Sequence, residues 1–549
     1  MLTLGRLFRS TATTYLKKTM ESKRALTVIV KTEDGKIKGH VLDNVDKDVE
    51  YFSLRGTPYA EPPIDDLRFR DPIPKEKWTV YVRDIVEESN MSLQYEPLID
   101  KVEGKEDCLY LDIATSEMPN CNKPVMVWIH GGGFKKSSNT PKKYGPDYLI
   151  KRDIVFVSIN YRLGLMGFLN MDHEECSGNM GLKDQILALK WIQQNIQYFG
   201  GDSNNVTIFG ESAGGASVHA LCLSPEAKGL FHKAIIQSGA VTNPWAHIKS
   251  NKKWGYALAK SFGVKCDTDL DVIKKLKELP AEDLVKKYED LCKNELEKVQ
   301  LSLVPTQDAK SKNPVLPEPI RELAKKGIDV PLIIGYNSHE GIIRFLGNTS
   351  KVYQELDKNF NEVVASYLRI DDYEKLAKYM EPIKKHYFGD EKITEAKVDE
   401  AVQFFGDMLF VMDVIGVATI QQHKDVPTYL YKFSYRPNFP GVKDRFGVKI
   451  EGTCHGDELG CLFHAEARRE RIPEGTRDRT SMERMTTMWT NFAKFGNPTP
   501  EKNELLNESW LPVTKEKLNC LNISDELICS ENSDLRTYEI WKPLLAQLQ

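Results

Sequence analysis

The sequence predicts an α/β fold in which a large, mostly parallel central sheet is covered by helices on both faces. Short, continuous apolar runs recur along the chain, as expected of strands that are buried on both sides. Between these runs lie stretches in which apolar residues recur three and four positions apart, the spacing of one helix face. This alternation favours one large doubly wound domain over several small domains.

The predicted strands are the apolar runs at residues 124–130, 153–161, 206–209, 331–337 and 428–435. Predicted helices alternate with them, at 182–199 and at 481–498, the second of which ends in the helix-stopping residues Gly496 and Pro498. The lysine-rich stretch 270–298 is interpreted as solvated amphipathic helices and not as a basic binding surface.

Two regions are predicted, an N-terminal extension at 1–25 and a single domain at 26–549. The first twenty residues carry four cations and no acid, which fits a mitochondrial transit peptide, but a disordered extension fits as well. Two arginines interrupt the apolar run that a secretory signal would need. We therefore expect a cytoplasmic protein, with the mitochondrion as the alternative location, and not a secreted one.

The charge balance and hydropathy exclude several classes of protein. With 75 basic and 79 acidic side chains the net charge is −4, so the composition offers no support for nucleic-acid binding. No uncharged apolar run reaches the roughly 18 residues that read as a membrane-spanning helix. The expected partner is a small molecule, no cofactor or metal is expected, and either a monomer or a homodimer is compatible with the sequence.

The sharpest local motif is GESAG, with Ser212 between Gly210 and Gly214, directly after the predicted strand 206–209. A sharp turn from a strand into a helix needs small residues on both sides, and it exposes the serine oxygen above the edge of the sheet. The pentapeptide alone is weak, because it also arises by chance. The alternative is therefore a tight turn with an incidental serine.

A second motif favours a catalytic serine. The residues from His130 to Phe134 read HGGGF and follow another predicted buried strand. Consecutive glycines let the backbone turn its N–H groups toward one point, because no Cβ atom obstructs the approach. Together with the N–H of Ala213, such donors would form an oxyanion hole. A phosphate-binding loop is the rival interpretation, but no Lys-Ser/Thr pair follows the glycines.

A nucleophilic serine needs an acid and then a histidine later in the chain. Glu340 follows the predicted strand 331–337, and the functional groups of open α/β sheets collect at the carboxyl ends of their strands. The histidines beyond it are His386, His423, His455 and His464. We favour His455, because it lies in a loop after the predicted strand 428–435 and is followed by a glycine that leaves its ring accessible.

A metal site competes for the same histidine. Cys454, His455, Cys461 and His464 could act as zinc ligands, but their spacing matches no common zinc module. No HExxH motif occurs either, so the sequence does not favour a metallohydrolase.

At these residues the chain resembles the type-B carboxylesterases, the cholinesterase-like branch of the α/β-hydrolase family. The resemblance extends from about residue 26 to the end and includes the blocks FSLRGTPYAEPP, EDCLYLDI, NYRLGLMGFL, GNMGLKDQ, FGGDSNNVTIFGESAGG and FHKAIIQSG. YGPDYLIKRDIVFVSINYRLG and LNCLNISDEL look most like the insect α-esterases, whose members hydrolyse xenobiotic and lipid-like esters.

The resemblance implies a role for each of nine residues. It implies a triad of Ser212, Glu340 and His455, and oxyanion donors from Gly132, Gly133 and Ala213. It also implies that Glu211 and Ser238 lie beside the triad and that Trp245 lines the acyl pocket. Secreted relatives carry two disulfide bridges whose partner cysteines are missing here for Cys108 and Cys266. Their absence is consistent with a reducing compartment.

The expected activity is that of a serine carboxylesterase acting on xenobiotic or lipid-like esters with small to medium acyl chains. Two alternatives remain open from the sequence. One is a stoichiometric scavenger of esters or organophosphates that turns over slowly, and the other is a non-catalytic cholinesterase-like binding protein.

Overall fold

The structure is a computed structural model that describes residues 26–78, 82–84, 89–97, 99–295, 301–347, 350–466, 468 and 471–548. The predicted N-terminal extension, residues 1–25, lies outside the described residues.

Most strands of the described chain join one large sheet. The strands are β1 (Thr27–Lys31), β2 (Lys36–Asp43), β3 (Glu50–Pro58), β4 (Val82–Asp84), β5 (Gln94–Glu96), β6 (Lys101–Glu103), β7 (Tyr110–Thr115), β8 (Lys123–Ile129), β9 (Val155–Ile159), β10 (Asn170–His173), β11 (Cys176–Ser177), β12 (Gly201–Glu211), β13 (Lys233–Gln237), β14 (Leu332–Asn337), β15 (Thr428–Phe433), β16 (Asn519–Ile523) and β17 (Leu527–Glu531). The order across the sheet is β1-β2-β3-β7-β9-β8-β12-β13-β14-β15-β16-β17, with β4 beside β2.

The middle of this sheet is parallel and its two ends are antiparallel. Every neighbouring pair from β9 to β16 runs parallel. The pairs from β1 to β9 along that order and the pair β16–β17 run antiparallel. The five predicted strands are β8, β9, β12, β14 and β15. The prediction of an α/β-hydrolase fold built on a large, mostly parallel sheet is thus confirmed.

Helices lie between the strands along the chain. They are α1 (Pro141–Tyr144), α2 (Gly164–Phe168), α3 (Met180–Asn195), α4 (Ala213–Leu223), α5 (Lys253–Ser261), α6 (Asp269–Glu278), α7 (Ala281–Glu295), α8 (Ile320–Lys325), α9 (Ser350–Leu368), α10 (Ala377–Phe388), α11 (Val398–Gly406), α12 (Met412–Gln421), α13 (Leu459–Leu462), α14 (Arg477–Phe495) and α15 (Leu535–Leu545). The predicted helices at 182–199 and 481–498 correspond to α3 and α14, and the lysine-rich stretch forms α6 and α7.

Both faces of the sheet are buried, and β8 shows it directly. Val125, Val127 and Ile129 belong to the larger apolar cluster of the protein. The alternating residues Met126 and Trp128 belong to a second cluster on the opposite face. Because side chains alternate along a strand, a continuous apolar run is what a strand between two helical layers requires.

One helical stretch, Glu395–Gln421, is long and apolar enough by composition to cross a membrane. In its most apolar window, 89% of the residues are buried inside the protein. It therefore packs as a core segment does, and it is not evidence for or against membrane insertion.

A buried ion pair connects the segment after β9 to α3. Arg162 donates from Nε and Nη2 to the two carboxylate oxygens of Asp184, at 2.8 and 2.7 Å. The two side chains are 2% and 0% exposed. Two charges without access to water depend on each other, because the loss of one leaves the other buried and uncompensated.

Arg162→Met is therefore expected to lower the free energy of unfolding by about 3–5 kcal/mol. The shift of the urea denaturation midpoint measures this loss. Arg477→Met is the matched control, because Arg477 pairs with Asp525 at the surface, where the side chains are 61% and 58% exposed. An exposed pair contributes about 0–1 kcal/mol, so equal shifts for the two variants would contradict the stabilising role given to the buried Arg162–Asp184 pair.

Candidate active site

Ser212 lies in a strained turn between β12 and α4. Its backbone angles are φ 59° and ψ −124°, outside the regions that L-residues ordinarily occupy. The strand ends at Glu211 and the helix begins at Ala213, so the turn consists of the serine itself. The Ser212 N–H donates to Gln237 O at 2.8 Å, and its carbonyl accepts from Ala216 N at 2.9 Å. Hydrogen bonds from β13 and α4 thus hold the serine backbone from both sides.

Glycines allow the backbones around this turn to approach closely. A Cβ atom on Gly214 would lie 2.0 Å from Ile129 O, and one on Gly210 would lie 2.5 Å from the Gly214 carbonyl carbon. A Cβ on Gly239 would lie 2.2 Å from Ser212 O. Any larger residue would push β8, β12 or α4 apart, which is the packing reason for small residues on both sides of the serine.

The predicted acid and base are in direct contact. His455 Nδ1 lies 2.6 Å from Glu340 Oε2, and both side chains are buried. The other carboxylate oxygen of Glu340 accepts from Asn337 N at 2.7 Å. Glu340 follows β14 and His455 lies in the loop that follows β15. Since β14 and β15 are neighbouring parallel strands, their carboxyl ends bring the two residues to the same edge of the sheet.

The second ring nitrogen of His455, Nε2, lies 3.0 Å from Glu211 Oε1. That oxygen accepts no hydrogen bond within the described residues, so the contact is electrostatic. Glu211 also lies beside the serine and the glycine loop, because a Cβ on Gly131 would be 3.0 Å from both Glu211 Oε2 and Ser212 Cβ. The serine, the glycine loop and the histidine therefore converge around Glu211.

Three buried carboxylates, those of Glu211, Glu340 and Glu458, act on His455. Burial disfavours the charged imidazole, but Glu211 and then Glu340 outweigh it and raise the pKa of His455 to about 9. Burial raises the pKa of Glu211 to about 7, although His455 counteracts part of this effect. Burial, followed by repulsion from Glu211 and Glu340, raises the pKa of Glu458 to about 8. The cluster therefore favours an imidazolium and resists holding three negative charges.

Sequence reasoning missed Glu458, which the structure places beside this cluster. Its Oε2 accepts from Asn337 Nδ2 at 2.6 Å, and its Oε1 accepts from Gln237 Nε2 at 3.2 Å. Asn337 thus bonds to Glu458 with its side chain and to Glu340 with its backbone. The sequence signal that could have found Glu458 is its position three residues after His455, in CHGDEL. The neighbouring Asp457 is just as close to His455 in the chain, so this signal does not distinguish the two acids.

Among the described residues, the glycine loop has positive φ angles and backbone N–H groups that are free to donate hydrogen bonds. Gly132 and Gly133 have φ values of 104° and 65°, and Phe134 follows with 58°. Within the described residues the N–H groups of Gly132 and Gly133 donate to no acceptor. Ala213 is the first residue of α4, where no intrahelical acceptor exists for its N–H. All three N–H groups are therefore available to a ligand.

Ser238 lies behind the serine turn. It follows β13, has a φ of 50°, and donates from its backbone N–H to Gly335 O at 2.9 Å. Its hydroxyl is buried and has no hydrogen-bond partner in the described part of the chain. The next residue, Gly239, makes the close approach to Ser212 O described above.

Aromatic side chains line the region beside His455. Trp245 is half-buried, donates from Nε1 to Leu409 O at 2.7 Å, and lies 6.5 Å from the ring of Phe134. Phe410 lies 5.7 Å from Trp245 and only 4.3 Å from the imidazole of His455. Phe410 belongs to the π-helical segment Asp407–Val411, a local irregularity that often marks functional sites. No sequence pattern singled it out.

The rival zinc ligands are engaged elsewhere. Cys461 Sγ lies 3.6 Å from Ser481 Oγ, and His464 Nδ1 lies 3.4 Å from the Tyr148 hydroxyl. His455 is occupied by the glutamates. Among the residues that the structure describes, no group of three or more His, Cys, Asp or Glu side chains is arranged to hold a metal ion.

Comparison with known proteins gives one consistent result. A family model described as "Carboxylesterase family" matches residues 27–541. Juvenile hormone esterase of Tribolium castaneum is 30% identical over 86% of this chain and 84% of its own length. Esterase E4 of Myzus persicae is 32% identical over 89% of this chain and 88% of its own length. The crystal structure of juvenile hormone esterase from Manduca sexta, with OTFP covalently attached, superposes with a TM-score of 0.82 at 26% identity, covering 94% of this chain and 99% of that one.

These relatives overturn one prediction. We expected a cytoplasmic and non-secreted protein, but the juvenile hormone esterase of Tribolium and the Myzus esterases E4 and FE4 are secreted extracellular esterases. The prediction depended on the first twenty residues and on missing disulfide partners. Cys108 and Cys266 are indeed free thiols, but an unpaired cysteine does not report where a protein acts.

The fold, the arrangement around Ser212 and the family match over residues 27–541 agree with one another. The chain therefore belongs to the carboxylesterase family and is a carboxylic ester hydrolase.

Proposed function

We propose that the protein hydrolyses small-molecule carboxylic esters through an acyl-enzyme on Ser212, with His455 as general base and Glu340 as the group that orients it. The observation that carries this proposal is the 2.6 Å hydrogen bond from His455 Nδ1 to Glu340, beside a serine held in a strained turn. With Nδ1 donating to the carboxylate, Nε2 is the nitrogen that can accept a proton.

In the acylation step the Ser212 oxygen attacks the ester carbonyl while His455 Nε2 takes the hydroxyl proton. The imidazolium that forms is stabilised by Glu340 and by Glu211, whose Oε1 lies 3.0 Å from Nε2. The negative oxygen of the tetrahedral intermediate accepts hydrogen bonds from backbone N–H groups of Gly132, Gly133 and Ala213. Loss of one such donor typically costs about 3–4 kcal/mol of transition-state stabilisation.

His455 then protonates the departing alcohol, which completes the acyl-enzyme. In the second half, a water molecule loses its proton to His455 and attacks the acyl carbonyl, and the imidazolium returns that proton to Ser212 as the acid leaves. None of these steps requires a metal or an organic cofactor.

The lining of the site supports the proposed substrate class. Trp245 and Phe410 form an apolar aromatic surface beside the histidine, with the buried ring of Phe134 packed against Trp245, and this suits the hydrocarbon of a small or medium acyl chain. The name of one relative, juvenile hormone esterase, fits a lipid-like ester, and the name of the other, esterase E4, fits an ester substrate in general. Apolar pockets discriminate weakly, by about 1–3 kcal/mol per methylene, so we expect a broad acyl preference.

Pre-steady-state hydrolysis of p-nitrophenyl acetate, butyrate and hexanoate tests the proposal, with Ser212→Ala as the comparison. We expect sustained turnover by the wild-type enzyme and a loss in kcat of about 10⁴-fold or more in the variant, because the nucleophile is removed. A product burst followed by negligible turnover would instead identify a stoichiometric scavenger. Turnover that survives in Ser212→Ala would contradict the acyl-enzyme.

Glu211→Gln is expected to move the acid limb of the pH profile of kcat/KM. Catalysis needs a neutral His455, and Glu211 helps to raise the pKa of that histidine to about 9, so the wild-type limb is expected above the ordinary histidine value of about 6.5. Removing the carboxylate destabilises the imidazolium, lowers the pKa of His455 and shifts the limb to lower pH by about one pH unit or more.

Glu322→Gln is the control for this measurement, because Glu322 is exposed and pairs with Lys325 at the surface. An acid limb that stays in place in Glu211→Gln, or that moves to higher pH, would show that Glu211 does not stabilise the charged histidine.

A further inference from the structure

We propose that Lys136, Lys143 and Arg445 form a cationic rim beside the catalytic residues, and that this rim binds an anionic group, a carboxylate or a phosphate, in the alcohol half of the ester. The inference rests on the proposed function and narrows its substrate class. All three residues are exposed overall, although the charged end of Lys143 is partly desolvated.

Lys136 is attached directly to the glycine loop. Its backbone N–H donates to Gly132 O at 3.2 Å, and its carbonyl oxygen lies 2.0 Å from where a Cβ on Gly132 would be. Gly132 and the next residue, Gly133, are two of the three proposed oxyanion donors. Because the Lys136 backbone packs against the oxyanion loop, its ammonium group is within one side-chain length of the loop that would face the substrate.

Lys143 reaches the same region from α1. The next residue, Tyr144, lies with its hydroxyl 3.3 Å from Ser137 Oγ, and Ser137 follows Lys136 directly, so α1 packs over the loop. Burial of Tyr144 raises its pKa to about 12, with Glu211 adding to the increase and Arg445 opposing it. Tyr144 therefore lies within electrostatic range of both a catalytic-site carboxylate and the third cation.

Arg445 comes from the loop that leads to the catalytic histidine. It lies in the 3-10 helix Lys443–Phe446, which follows Val442. The Val442 side chain lies 3.7 Å, and Glu211 Oε1 3.4 Å, from the position that a Cβ on Gly456 would take. Gly456 follows His455 in the chain, so the short helix that carries Arg445 starts next to the site.

The three cations act on one another and therefore lie in one region. Burial, and then repulsion from Lys136 and Arg445, holds the pKa of Lys143 below its usual range, while Glu96 acts in the opposite direction. Within the described residues, no carboxylate lies within ion-pair distance of any of the three.

The nearby charged side chains of the same loop form hydrogen bonds with backbone groups. Asp444 Oδ2 accepts from Gly441 N at 2.7 Å, and Asp457 accepts from Cys454 N at 2.8 Å. The Lys443 ammonium donates to two backbone carbonyls, those of Ile450 and Gly452, so it is not part of the rim. Among the described residues, the rim thus carries three positive charges that no carboxylate pairs directly, and these attract a ligand anion.

The alcohol half is the part of the ester that this rim would meet. The proposed acyl surface is formed by Trp245 and Phe410, which contact each other and lie against the aromatic ring of Phe134 or the imidazole. The cations instead lie near Tyr144, which follows Lys143 in α1 and is acted on electrostatically by both Arg445 and Glu211. An ester bound with its acyl chain on the aromatic surface therefore presents its alcohol to the cations.

Three matched esters test this inference: 4-butyryloxybenzoate, 4-butyryloxyphenyl phosphate and the neutral 4-butyryloxybenzamide. We expect kcat/KM to be higher for an anionic ester than for the amide, and the comparison of carboxylate with phosphate identifies the preferred anion. In Lys136→Ala and Arg445→Ala the ratio of anionic to neutral kcat/KM should fall about threefold each, and further in the double variant. Lys190→Ala, a change at an exposed lysine of α3 outside the rim, should leave the ratio unchanged.

Ionic strength provides a second measurement that needs no variant. Raising it from about 0.01 M to about 1 M shortens the screening length from about 30 Å to about 3 Å and should lower the ratio in the wild-type enzyme. A ratio that is insensitive to salt and equal in Arg445→Ala and Lys190→Ala would overturn the anionic subsite while leaving the esterase intact. Hydrolysis that persists in Ser212→Ala would instead overturn the proposed function itself.

Discussion

A carboxylate and an imidazole buried 2.6 Å apart constrain the whole site. Glu340 and His455 come from different strands, so their hydrogen bond requires β14 and β15 to be parallel neighbours with a common carboxyl edge. Burial makes each group dependent on the other, because an isolated charge in that position would be strongly disfavoured. Glu211 and Glu458 add negative potential, which raises the pKa of His455 and so stabilises the imidazolium that forms when the neutral ring gains a proton.

Ser212 is held in place through its backbone, which has a strained conformation, and not through its own side chain. A non-glycine residue with such angles costs about 1–3 kcal/mol, and it persists only where its surroundings fix it. Here two backbone hydrogen bonds and the close packing of Gly210, Gly214 and Gly239 do so. The glycine loop that follows β8 packs against the same turn. The proposed nucleophile and the proposed oxyanion donors are therefore held by one set of backbone contacts.

Local sequence signals predicted much of this arrangement. The apolar runs identified β8, β9, β12, β14 and β15, because a strand buried on both faces is made mostly of apolar residues. Glu340 was predicted from the rule for carboxyl edges of parallel strands, and the structure brings it to His455. Glu458 and Phe410 could not be predicted in this way, since the first is defined by contacts with β13 and β14 and the second by a π-helical turn. Location was predicted wrongly, because it depends on no contact within the fold.

The most direct test of the central claim is the turnover of p-nitrophenyl butyrate by Glu340→Gln, compared with that of the wild-type enzyme. Urea denaturation of both proteins checks that the variant is folded as stably as the wild type. The amide keeps the shape of the carboxylate but cannot hold Nδ1–H in the same way or stabilise the imidazolium. The account predicts a fall in kcat of about 10³–10⁴-fold. Turnover equal to that of the wild-type enzyme would contradict it, and would mean that Glu340 is not the group that orients His455.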